Sequence, residues 1–156
     1  MRDRGATGDL CILASTDTHL VIDVTGYITT SDDIASVQPA RLLDTRGEKT
    51  VDGQGVGTTR APAGSVTRVD VAGRGGVPNN ASTAIVNLVA VDPAAPGFAT
   101  IYPCTSTPPD ASSINFFPGD VIANSSFAKL DATGDLCILA STDTHLVIDV
   151  TGYITG

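Results

Sequence analysis

Residues 132–155 read ATGDLCILASTDTHLVIDVTGYIT, and the same 24 letters also occupy residues 6–29. The segment divides into an apolar run, DLCILA at 135–140, a polar STDT at 141–144, and HLVIDVTGYI at 145–154. In the last of these, alternation puts Leu146, Ile148, Val150 and Ile154 on one face and His145, Asp149, Thr151 and Tyr153 on the other. Two such runs joined by a short polar turn predict a β-hairpin with one oily side. In the leading copy the corresponding apolar residues are Leu10, Ile12, Leu20, Ile22, Val24 and Ile28.

The copies are offset by 126 residues, far more than the 20 to 50 of a solenoid repeat, so each period is the size of a domain. The expected organisation is a leading hairpin at 1–29 followed by one complete unit at 30–156. Within that unit no apolar residues recur at helical spacing for more than a turn, and 16 Gly and 9 Pro punctuate the chain. Short runs at 65–71 and 98–102 alternate as strands with one wet face do. Residues 83–91, TAIVNLVAV, are apolar almost throughout and predict a central strand buried on both faces. Residues 40–45 and 121–130 are further strand candidates, with turns at 73–76, 77–80 and 94–97. About eight strands predict an all-β fold, an antiparallel β-sandwich of jelly-roll-like form, with a closed β-barrel as runner-up. Aromatic residues are only 4% of the chain, which leaves the core to Val, Ile, Leu and Ala, with Phe116 and Phe117 expected inside. The Gly- and Thr-rich stretch 48–64 is expected to be a long loop, either mobile or used for contact.

A net charge of −8 with only Lys49 and Lys129 as lysines disfavours nucleic acid and anionic lipid surfaces as partners. Membrane insertion is not expected, since no apolar run approaches the roughly 20 residues of a spanning helix, and residues 1–5 lack the apolar core of a signal peptide. Cys11 and Cys137 are one position written twice, so a unit holds two cysteines, Cys104 and Cys137. An even count in a Gly/Pro/Thr-rich, Lys-poor chain fits an exported protein with one disulfide per unit, two free thiols being the other reading.

Chemistry is sparse. His19 and His145 are again one position, and His145 with Asp143 falls short of a zinc ligand set. No Gly-x-Ser-x-Gly elbow is present, and Gly53, Gly55 and Gly57 lack the Gly-Lys-Ser/Thr ending of a phosphate loop. Asp32, Asp33 and Glu48 read as solvated carboxylates. The most suggestive polar cluster is Arg41, Asp44 and Arg46, read as structural ion pairs in which a carboxylate ties two guanidiniums, with sugar contact as the alternative. Nothing here predicts an enzyme, a metal or a cofactor.

PARLLDTR at 39–46, GGVP at 75–78, AIVNLVAVDPAAPGFATIYPC at 84–104 and THLVIDVTGY at 144–153 together resemble the LDTR-type β-rich repeat modules of large secreted and cell-surface proteins of actinobacteria. The resemblance covers nearly the whole unit, in order. It implies an extracellular, non-catalytic module, found in tandem arrays or appended to secreted hydrolases. With one place per unit for the duplicated segment and two copies present, the surplus copy would expose aliphatic side chains and strand edges that invite pairing. Copies of the chain itself are therefore the expected partners, through a stalk or filament, with a surface glycan as the alternative.

Overall fold

The computed structural model describes residues 14, 16, 17, 34–105 and 107–155. The leading copy's Leu10, Ile12, Leu20, Ile22, Val24 and Ile28, and with them the leading hairpin, lie outside the described residues.

Eight strands follow one another: β1 (Ile34–Asp44), β2 (Val66–Asp70), β3 (Ala81–Val91), β4 (Gly97–Tyr102), β5 (Ile114–Phe116), β6 (Val121–Lys129), β7 (Asp135–Ala140) and β8 (His145–Thr155). They form two four-stranded sheets, ordered β1-β8-β3-β6 and β2-β7-β4-β5, with every pairing antiparallel. The pairs β1·β8, β2·β7, β3·β6 and β4·β5 are those of one long hairpin wound into a sandwich, which is jelly-roll topology. The sheets do not close on each other, so the barrel alternative is not what forms.

Alternation explains the core. On β3, Ala84, Val86, Leu88 and Ala90 are fully buried between the sheets, against Leu146, Ile148 and Val150 of β8 and Leu136, Ile138 and Ala140 of β7. The intervening residues of β3 are half-buried, so this strand is central but has one partly wet face. Leu42, Val69, Val71, Ala99, Ile114 and Phe116 are also part of the core. At about 1.5–3 kcal/mol for each fully buried large aliphatic side chain, this layer is the main favourable term in folding.

Besides the wet face of β3, three expectations need correction. Residues 135–154 are not a hairpin: β7 pairs only with β2 and β4, and β8 only with β1 and β3, so the segment arches from one sheet to the other. The polar turn bonds outward instead of closing a hairpin. Thr144 exchanges backbone hydrogen bonds with Ala61, and the Asp143 carbonyl accepts from the Ala94 amide. A register shift near Thr151 moves the later residues of β8 by one, so Tyr153 comes opposite Ala84 and packs on the core while Ile154 leaves the face of Leu146, Ile148 and Val150. Finally, Phe116 is buried but Phe117 is 67% exposed, because it follows the last residue of β5 into the turn at Asp120.

Candidate functional site

The feature that singles this chain out is the seat of its duplicated segment. β8 is clamped between β1 and β3, and β7 between β2 and β4, so the β7–β8 arch supplies a central strand to each sheet. Its six inward side chains, Leu136, Ile138, Ala140, Leu146, Ile148 and Val150, are all 0% exposed. Removal of this arch would split both sheets.

Polar groups of the body read the arch at several points. Arg41, the cross-strand partner of Asp149, donates from Nε (2.9 Å) and Nη2 (3.2 Å) to its two carboxylate oxygens. The Thr45 hydroxyl oxygen accepts the Leu146 amide at 2.9 Å and lies 3.1 Å from His145 Nδ1. Arg68 pairs with Asp135, whose carboxylate lies 2.7 Å from the Thr133 hydroxyl oxygen. At the start of the arch Asp131 accepts from the Thr133 amide and hydroxyl and from the Asp135 amide. The Thr133 contact leads the effects that hold the Asp131 carboxyl below its ordinary range. Cys137 on β7 is bonded to Cys104, just past β4, closing a 33-residue separation. Cys104→Ser is expected to destabilise the sandwich by about 3–4 kcal/mol on the chain-entropy account. The urea midpoint of the oxidised protein measures this, and a loss under about 1 kcal/mol would show that the strands alone hold the loop closed.

The structure brings Arg41, Asp44 and Arg46 together. Asp44 is 0% exposed, with its Oδ2 receiving Arg46 Nη2 at 2.7 Å and Arg41 Nη1 at 3.0 Å, and its Oδ1 receiving Arg46 Nε and the Arg46 amide. Burial pushes the Asp44 carboxyl up, but the hydrogen bonds from Arg46 and the charges of both arginines outweigh it and leave the pKa lowered. The Asp44 carboxylate is thus met by four donors within the fold, while the two guanidiniums stay about one-third exposed.

The stretch 48–64 is not a free loop. Val51 donates to the Arg41 carbonyl, Asp44 donates to the Gly55 carbonyl, and Gly57 returns a bond to Asp44. Gly55 has φ +69° and a Cβ there would lie 2.3 Å from the Leu42 carbonyl oxygen, so only glycine permits this approach. Arg74, 9% exposed, holds the stretch from below: its guanidinium takes both carboxylate oxygens of Asp52 (2.7 and 2.8 Å) and the carbonyls of Leu42, Gln54 and Asp70. From the sequence alone residues 73–76 read only as a turn. The legible sign would have been an arginine set among three glycines in an otherwise apolar neighbourhood.

His145 and Asp143 do not pair: Asp143 accepts the Ala63 amide while His145 lies against the Thr45 hydroxyl. Among the described residues there is no cluster of three or more His, Cys, Asp or Glu able to hold a metal, and no helix long and apolar enough to cross a membrane. A groove of about 800 Å³ opens beside β6, between Tyr102, Pro103 and Pro109 on one side and Asn124 and Phe127 on the other. It offers serine hydroxyls and a single charged side chain, Lys129. The molecule thus belongs to the jelly-roll β-sandwiches by topology. Comparison with protein-family models, curated proteins and solved structures yields no match.

Proposed function

We propose that the chain is a non-catalytic structural repeat module of an extracellular array, carrying one complete unit and the last two strands' worth of sequence of a second. The observation that carries this is the place of the duplicated segment. It is the central arch of the sandwich, repeated at an offset of one whole unit. The Cys104–Cys137 bond supports an oxidising compartment, and the resemblance to secreted and cell-surface repeat modules points the same way.

The unit's geometry supports one course for such an array. Ile34 and Ile154 are cross-strand partners, so the unit begins and ends at one pole. Between Thr29, which matches Thr155, and Ile34 lie only four residues. Consecutive units joined this tightly lie side by side, with a step near the width of a four-stranded sheet, about 20 Å. A chain of three such units, measured by small-angle scattering, is expected to gain about that much in maximum dimension per unit, as a stalk does. Swelling with the square root of unit number would refute the stalk. The alternative, a glycan-binding module using the groove beside β6, predicts saturable sugar binding that Phe127→Ser abolishes.

A further inference from the structure

We infer that the seat between β1 and β3 and between β2 and β4 accepts either copy of the arch, so that residues 6–29 can replace residues 132–155 and yield a circularly permuted form of the same sandwich. The occupant is a segment of this chain, and three observations carry the inference.

The first is identity. Every side chain that the body contacts on the arch from Ala132 to Thr155, including the buried Leu136, Ile138, Leu146, Ile148 and Val150, the Arg41 partner Asp149 and the disulfide-forming Cys137, has the same residue 126 positions earlier. The seat has no side chain by which to prefer one copy.

The second is connection. β8 ends beside the start of β1, with Ile154 opposite Ile34. Residues 30–33 would then join the leading copy to β1 as a short hairpin loop, a length that antiparallel neighbours commonly use. The present order instead spends the five residues 130–134 joining β6 to β7. Two loops this close in length have closure costs that nearly cancel.

The third is the difference that remains. Asp131, whose carboxylate gathers the Thr133 and Asp135 donors, has Gly5 as its counterpart. The leading copy lacks this cap on the turn that enters the arch, a local difference that favours residues 135–155 in the seat without excluding the exchange. Whichever copy is left over carries the same fit to the seat of a neighbouring unit. None of these observations depends on an array, so the inference survives or fails independently of the stalk.

The test uses the full chain. Ile148→Asp places a carboxylate in the core through one copy, and Ile22→Asp does so through the other. Each single variant is expected to keep cooperative unfolding and the β-sandwich circular dichroism signal, while the double variant loses both. Trypsin cuts after Arg4, Arg41, Arg74 and Lys129, which puts Cys11, Cys104 and Cys137 on separate peptides. In Ile148→Asp, Cys104 should be bonded to Cys11 within a monomer, and in Ile22→Asp to Cys137. The inference is overturned if Ile148→Asp alone unfolds the chain, if Cys104 stays with Cys137 in that variant, or if the Cys104–Cys11 bond joins two chains.

Discussion

Asp44→Ala is expected to lower the unfolding free energy by about 3 kcal/mol, the lower end of the 3–5 kcal/mol typical of breaking a buried ion pair from one side. The carboxylate is wholly enclosed and receives four donors, three from Arg46 and one from Arg41. Its removal strands the Arg46 amide and leaves two guanidiniums, each about one-third exposed, facing one another. Their partial exposure lets water soften the loss, and Arg41 keeps Asp149, which is why the lower end applies. Because the folded pKa of Asp44 is depressed, its contribution is complete above the ordinary carboxyl range and is lost as pH falls through the folded value. Wild type should therefore lose stability on acidification more steeply than Asp44→Ala. Equal acid limbs in urea titrations at several pH values would show that the cluster does not hold the turn after β1.

How far the sequence discloses these features follows from the range of the interactions involved. Strand alternation is local, so β2, β4 and most of the core of β8 are legible from a few neighbouring residues, whereas β6, exposed along most of its length, shows no such period. The Arg41, Asp44 and Arg46 cluster is legible for the same reason, since all three lie within six positions. The partner Asp149 lies 108 positions from Arg41 and becomes its neighbour only through the β1·β8 register. Alternation likewise shows that residues 135–140 and 145–154 are strands but not whether they pair with each other. Hairpin and arch have the same periodicity, and what separates them is whether the turn's backbone bonds inward or to Ala61 and Ala94. One inserted residue near Thr151 reverses the faces of Tyr153 and Ile154, and nothing in the local letters marks it. β5 has three residues, too few to show a period.

The same limit of range hid Arg74, and replacing it should be at least as costly as losing Asp44. Arg74→Ala is expected to remove about 3 kcal/mol, because the guanidinium is 9% exposed and its loss takes the donor from the Leu42 and Asp70 carbonyls, while Asp52 keeps the Gln54 donors and the Gln54 carbonyl keeps the Thr50 hydroxyl. Arg74→Lys keeps the charge but not the two-pronged contact with Asp52, so it should recover only part of the loss. The hydrogen bond from Arg74 is the leading cause that lowers the Asp52 carboxyl to about 2. The stability this link gives is complete above the unfolded carboxyl's pKa near 4 and fades as pH falls through about 2. Hydrogen exchange distinguishes a local clamp from a merely buried charge. If Arg74 clamps the stretch 48–64 onto β1, the amides of Val51 and Gly57, which donate to Arg41 and Asp44, exchange faster in Arg74→Lys while those of β3 and β8 do not. Uniform acceleration across all strands would mean that Arg74 serves the whole core and that the stretch rests on β1 by its backbone bonds alone.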